Sequence, residues 1–434
     1  MSKDIHRRRN KALGALELVA IALGGMIGGG IFTVFGVSVS LIGVYTPIAF
    51  VIGGLIAALA SYSYIKLGVH YQDEGAPYSF IINTFTGSSF LSSVVGWWIV
   101  FGYISTLALY AYTFASYAIS TFEFANNDLV RKGVAGCIIL IFTLVNVWSV
   151  KGMGKIEDLM VYSKLIILTV ISVILISHSN TTLPQLVEIS PKFNLLSILI
   201  VASLTFVAFE GFQLVINAVD EMEKPKVNIP KSIYIAISVA IVIYVIIASG
   251  GILAIPFDEI IQNKEYALAA GAKKILGEWG SNLIIIGALL ATSSAISGTL
   301  FGASRLVGVI AKDGYFPLIL NQRKNNIPMI AIFMMALFAF VLILIGNLEM
   351  ILEFGSITFL LVSILVAFAN LKMYKKTGAS LMVIILSIVS LTLAAVFILY
   401  YEFTQHIDQL YFIVGLYVVL TLSAWLFSRK YKTQ

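Results

Sequence analysis

The sequence predicts an all-α polytopic membrane protein of twelve transmembrane helices. Ten of them form two inverted repeats of five, with helices 1 and 6 broken at mid-membrane, and two more follow towards the C-terminus. Three observations carry this prediction. Of 434 residues, 59% are hydrophobic and only 12% charged, a composition of membrane proteins rather than of soluble domains. Charge-poor runs of about 20 residues, long enough to cross the hydrocarbon layer, recur from end to end. Two of these runs, five spans apart, are interrupted by glycine.

The first span, Leu13–Leu41, has Glu17 as its only charge and centres on Gly24-Gly25-Met26-Ile27-Gly28-Gly29-Gly30. Glycine costs about 1 kcal/mol relative to alanine inside a helix. Backbone freed from a helix at membrane depth is tolerated only where protein buries it or a cavity uses it. Such a break exposes N–H groups that can hold an anion and C=O groups that can hold a cation. Taken alone, these glycines also fit a close-packing face between neighbouring helices.

A turn signal, Gly43-Val44-Tyr45-Thr46-Pro47, leads into the second span, Thr46–Leu67. The charge-free stretch from Gly75 to Phe122 is too long for one crossing at about 1.5 Å per residue. Its first dozen residues are therefore expected as a short helix at the inner mouth, ahead of the third span, Ser88–Phe122. The fourth and fifth spans are Gly133–Val150 and Ile156–Ile176. Lys164 sits nine residues past Lys155, roughly 13 Å along the axis. A charge that deep marks a functional site by default; the alternative is structural neutralisation by Glu17 or Glu210.

The sixth span, Leu195–Val219, has its own interruption at Phe206-Val207-Ala208-Phe209-Glu210-Gly211-Phe212. Two interruptions five spans apart give halves of opposite orientation, as in transporters that bind substrate at broken helices. The remaining spans are Ile233–Ile255, Asn282–Ala311, Met329–Ile345, Met350–Leu371, Leu381–Tyr401 and Leu410–Phe427. Pro256–Ser281 reads as a short surface helix on the outer side. In the eighth span, the hydroxyls of Thr292-Ser293-Ser294 would ordinarily bond back to their own helix, and they could also serve as oxygen ligands to a cation. The organisation is thus a tail at 1–12, repeats at 13–177 and 195–371, two helices within 377–428, and a tail at 429–434.

With both termini inside, 21 of the 28 basic residues fall on the cytoplasmic side and 6 outside, Lys164 lying in the membrane. This asymmetry follows the positive-inside rule and accounts for the net charge of +6 without a nucleic-acid partner. Cys137 is the sole cysteine, which excludes a disulfide framework or thiolate metal site. His6, His70, His178 and His406 are isolated near span ends, so no metalloprotease-type arrangement exists and a membrane enzyme is disfavoured. The basic start at Arg7-Arg8-Arg9 leads into a span, and no cleavable signal peptide is expected.

With these residues in view, the chain resembles the amino acid–polyamine–organocation (APC) superfamily of transporters over nearly its whole length. The resemblance rests on Met26-Ile27-Gly28-Gly29-Gly30-Ile31-Phe32, Gly75-Ala76-Pro77-Tyr78, Glu221–Pro230 and Ala311-Lys312-Asp313-Gly314-Tyr315-Phe316-Pro317, in that order. It implies the LeuT-like fold, with an α-amino acid held between the two breaks. The substrate carboxylate would meet N–H groups around Ile27, Gly28, Gly29 and Gly30. The ammonium would meet carbonyls near Phe206 and Ala208 or the carboxylate of Glu210, with Phe206 and Phe209 covering the site.

Within the superfamily, the sequence around Lys164 is similar to that of an archaeal proton-coupled amino-acid transporter of broad specificity. That similarity implies that Lys164 takes the place of a sodium ion, beside the carbonyls of Gly24 and Ile27 and the hydroxyls of Ser293 and Ser294. The proton would then be the coupling ion, with neither sodium nor any other cofactor. Glu210 departs from that relative, which has an apolar residue there, and suits instead an exchanger of cationic amino acids or polyamines. A membrane nutrient sensor is a more remote reading. The expected partners are a small amino acid and the lipid bilayer, with the protein a monomer or homodimer in the cytoplasmic membrane of a prokaryote.

Overall fold

The computed structural model describes residues 13–148, 150–178, 191–324 and 327–430. The expected tail at 1–12 and residues 431–434 of the C-terminal tail lie outside the described residues. Among the described residues, regular structure is helical apart from two isolated bridges, Leu13–Met222 and Lys324–Ile327.

The first span is two helices, α1 (Ala15–Met26) and α2 (Gly29–Ile42), followed by α3 (Thr46–Tyr71). The short helix expected after Gly75 is α4 (Ala76–Thr84), ahead of α5 (Ser89–Ile119). Prolines in the first turns of α3 and α4 preset the backbone for a helix start. The chain continues through α6 (Asp128–Trp148), α7 (Val150–Ser177), α8 (Leu195–Leu204), α9 (Leu214–Asn217) and α10 (Pro225–Ala254). It ends with α11 (Phe257–Gln262), α12 (Ala267–Lys312), α13 (Met329–Ile345), α14 (Leu348–Thr377), α15 (Leu381–Gln405) and α16 (Ile407–Lys430). Ten segments among the described residues are long and apolar enough to cross a membrane, with α1 and α13 as shorter apolar helices. The chain is a multi-pass membrane protein.

Apolar side chains such as Leu140, Leu144, Leu393, Val418 and Leu422 stand about half exposed on α6, α15 and α16, the outer faces that lipid would cover. The uncharged α5 runs through the interior and packs against α12, α14 and α16, while α7 packs against α10 and α12. The broken pieces α1, α2, α8 and α9 sit inside this frame.

The stretch 256–281 differs from the expected single surface helix. Its first part is α11, and its second is already the start of α12, which passes through a kink at Gly277 (φ +69°). Phe257, Ile260, Tyr266, Ala267 and Leu268 are buried. Lys264 lies so tightly on α2 that a Cβ at Gly36 would collide with its carbonyl oxygen. Burial of these apolar groups turns a charged-looking connection into a cover over α2.

Candidate functional site

A helix end leaves its last carbonyls without intrahelical partners, and side chains from other helices cap those of α1. Helical geometry stops at Ile27 (φ −83°, ψ 70°) and Gly28 (φ −109°, ψ −132°). Lys164 Nζ on α7 donates to Gly24 O at 2.9 Å, Ile27 O at 2.6 Å and Ser294 Oγ on α12 at 2.9 Å. An ammonium has three protons to donate, and these acceptors match them. Tyr110 Oη donates to Gly25 O at 3.1 Å, and Tyr244 Oη contacts Met26 O at 2.7 Å. Lys164 is fully buried. The carboxylates considered for it are engaged elsewhere, Glu17 with the Gly14 N–H and Glu210 with Gln213. Ser294 Oγ itself donates to Ala291 O; Ser293, one position before, is half-buried.

The second break begins where α8 gives way to a 3-10 turn over Thr205–Phe209. Glu210 is extended and Gly211 has φ +125°, a conformation that side-chain-bearing residues rarely adopt. The two breaks meet backbone to backbone. A Cβ on Gly211 would lie 2.6 Å from Gly25 C, and one on Gly30 would lie 2.8 Å from Ala208 Cα. Tyr244 spans them, its hydroxyl 2.7 Å from both Met26 O and Ala208 O.

Glu210 is 3% exposed. Its Oε2 accepts from Gln213 Nε2 at 2.9 Å, and Gln213 Oε1 accepts from the Gly211 N–H. Among the described residues, Glu210 Oε1 has no hydrogen-bond partner. Glu210 lines a cavity of about 10 Å³ together with Gly25, Tyr103, Thr106, Tyr110 and Thr299 among others, comparable with the space one water requires. Phe206 and Phe209 are fully buried beside it in sequence.

The sequence-predicted residues fall into two groups. Gly24, Ile27, Lys164 and Ser294 come together directly. Gly28, Gly29 and Gly30 abut Ala295, Thr113 and Ala208, and it is Gly25 and Gly211 that line the cavity beside Glu210. Gly28 caps α2 without a side-chain acceptor for its first N–H groups. Tyr110, Gln213 and Tyr244 were not among the predicted residues. The one available signal is that a tyrosine buried in an apolar span must find a partner for its hydroxyl.

Polar contacts join the helices on either side of the breaks. At one end Arg131, 4% exposed, donates to Glu265 Oε2 at 2.6 Å and Ala125 O at 2.7 Å. Tyr112 Oη lies within hydrogen-bond reach of both Asp128 Oδ1 (3.0 Å) and Glu265 Oε1 (3.3 Å), with one proton to give, and Lys264 pairs with Glu349. Burial pushes the Glu265 carboxyl above its ordinary range, with Arg131 pulling the other way. At the other end, Leu13 exchanges backbone hydrogen bonds with Glu221 and Glu223. There Tyr78 Oη also donates to Asp313 at 2.7 Å, joining the stretches after spans two and eight.

Broken helices that meet inside a many-span helical protein are a feature of secondary transporters. The comparisons identify which: the profile of the amino acid permease family matches residues 13–426, and the chain belongs to that family. It is 28% identical over 419 residues, 94% of each chain, to an uncharacterized protein of Methanocaldococcus jannaschii. It is 26% identical over 428 residues, 97% of each chain, to the inner membrane transport protein YbaT of Escherichia coli. A third relative is the chloroplastic cationic amino acid transporter 7 of Arabidopsis thaliana, 26% identical over 375 residues, 81% of this chain and 63% of the relative.

Proposed function

We propose that this permease moves an amino acid across the cytoplasmic membrane by proton-coupled symport, through alternating access. In this reading twelve spans follow the LeuT-like plan, residues 13–177 and 195–371 are the inverted repeats, and both termini are cytoplasmic. The Arg131 end then faces outward. The substrate lies at the breaks, its carboxylate towards the uncapped N–H groups of α2 and its ammonium towards the carbonyls of the 3-10 turn and Glu210.

One observation carries the coupling: Lys164 links α7, the last carbonyls of α1, and α12 through three hydrogen bonds. Protonated, it ties these three helices as a bound sodium ion would. Deprotonated, it has a lone pair where a donor is needed, and the tie to two carbonyl acceptors weakens. The test is uptake of radiolabelled amino acids into proteoliposomes under an inward pH gradient without sodium. Wild type should accumulate substrate and Lys164→Ala should lose accumulation. A variant that still concentrates substrate would sink the role of Lys164.

A second reading draws on Glu210, which lines the cavity and whose Oε1 has no hydrogen-bond partner among the described residues; such a carboxylate suits the amine of a cationic amino acid or polyamine in an exchanger. The similarity to a cationic amino acid transporter supports it. Exchange from preloaded vesicles with no response to the gradient, inhibited by decarboxylated analogues, would select this reading.

A further inference from the structure

Away from the breaks, a second pair of ionisable groups lies inside the bundle. Glu353, in the second turn of α14, is 2% exposed, and Glu402, in the last turn of α15, is fully buried. The two carboxyl groups face one another across the packed helices. Both oxygens of Glu402 and Oε2 of Glu353 lack a hydrogen-bond partner among the described residues.

The charged and titratable groups around the pair are few. Glu349 lies one turn before Glu353 on α14 and is paired with Lys264 from the segment between α11 and α12. Tyr401 precedes Glu402 on α15, and His406, after that helix, contacts Tyr401 through Nε2. No cation is bonded to either Glu353 or Glu402 among the described residues. Ionised carboxylates only accept hydrogen bonds, so two of them side by side leave acceptor against acceptor. Two carboxylates sharing one site cannot both remain ionised, and charge held inside a membrane is costly. A proton on one carboxyl converts the clash into a donor–acceptor pair.

We propose that Glu353 and Glu402 form a proton-binding site separate from Lys164 and Glu210, in which one proton is shared between the two carboxyl groups. The proton fastens α14 to α15. Because α14 also carries Glu349, which holds Lys264 in the cover over α2, the occupied site steadies that closure.

Infrared spectroscopy of the purified protein in nanodiscs tests this without relying on transport. The wild type should show a protonated-carboxyl C=O absorption that shifts in D2O, and the wild type minus Glu402→Gln difference should contain one such band. Glu353→Gln should remove the same band, so failure of one variant to insert leaves the other. Failure of the wild type to show a D2O-sensitive band, or its persistence in both variants, overturns the site. A carboxylate band that responds to added Na+ or K+ would also overturn it, making the occupant a metal cation. Loss of proton-driven uptake with the infrared difference intact would instead count against the proposed symport alone.

Discussion

Tyr244 has one hydroxyl proton and two carbonyl acceptors, Met26 O and Ala208 O, each 2.7 Å away. Its ring packs against Phe50 and Phe209 with centroids 5.6 and 5.2 Å distant, so Tyr244→Phe keeps the packing and removes the tie. A net hydrogen bond is worth about 0.5–1.5 kcal/mol. Substrate affinity should therefore fall by roughly 2- to 10-fold in equilibrium binding, with insertion unchanged. Wild-type affinity in the variant would show that the two breaks do not depend on this hydroxyl. Lys164 was legible in the sequence because an intramembrane charge must be explained. Tyr244 was not, because a tyrosine among isoleucines and valines reads equally well as packing, and its two acceptors lie 218 and 36 residues away.

At the scale of elements, glycines make the breaks possible and also let them touch. Gly211 combines φ +125° with a Cβ position 2.6 Å from Gly25 C. The backbone strain of an alanine there is of order 1–3 kcal/mol, and the collision with main chain adds to it. Gly87 is a natural control, with φ +96° and nothing within 4 Å of its Cβ position. Gly211→Ala should lower the thermal midpoint more than Gly87→Ala and abolish the stabilisation that added substrate gives. Equal effects of the two substitutions would mean that the contact between breaks carries no weight.

The location of both breaks was readable, because five clustered glycines, and a glycine beside a carboxylate, are costly in a plain span. The nature of 256–281 was not. Its charges, Asp258, Glu259, Lys264, Glu265, Lys273, Lys274 and Glu278, have the texture of a solvated connection. Only packing against α2 at Gly36, and a buried arginine 134 residues away on α6, turn it into a cover.

Across the whole molecule, that cover and the Leu13–Met222 contact lie at opposite ends of one site, and under the alternating access proposed above each would open in turn. Arg131 is buried and Glu265 partly so, and removing the guanidinium leaves the Glu265 carboxylate without its cation in the closed arrangement. Arg131→Met should therefore favour opening at its end. The sign of the pH effect follows from Glu265. Burial raises its carboxyl above the ordinary range in the closed arrangement, so closure binds the proton more tightly than an open, hydrated state. Acid then favours closure, and closure weakens as pH rises above the ordinary carboxylate range. A reporter is available in Leu268, 1% exposed on the buried side of the cover. In a Cys137→Ser background, Leu268→Cys should react slowly with a membrane-impermeant thiol reagent applied at the Arg131 end. Measured against an exposed control cysteine, its labelling should rise with pH, rise further in Arg131→Met, and lose its pH dependence in Glu265→Gln. Labelling indifferent to pH and to Arg131 would place the barrier at that end in apolar packing alone, with the ion pair a consequence of closure rather than a cause.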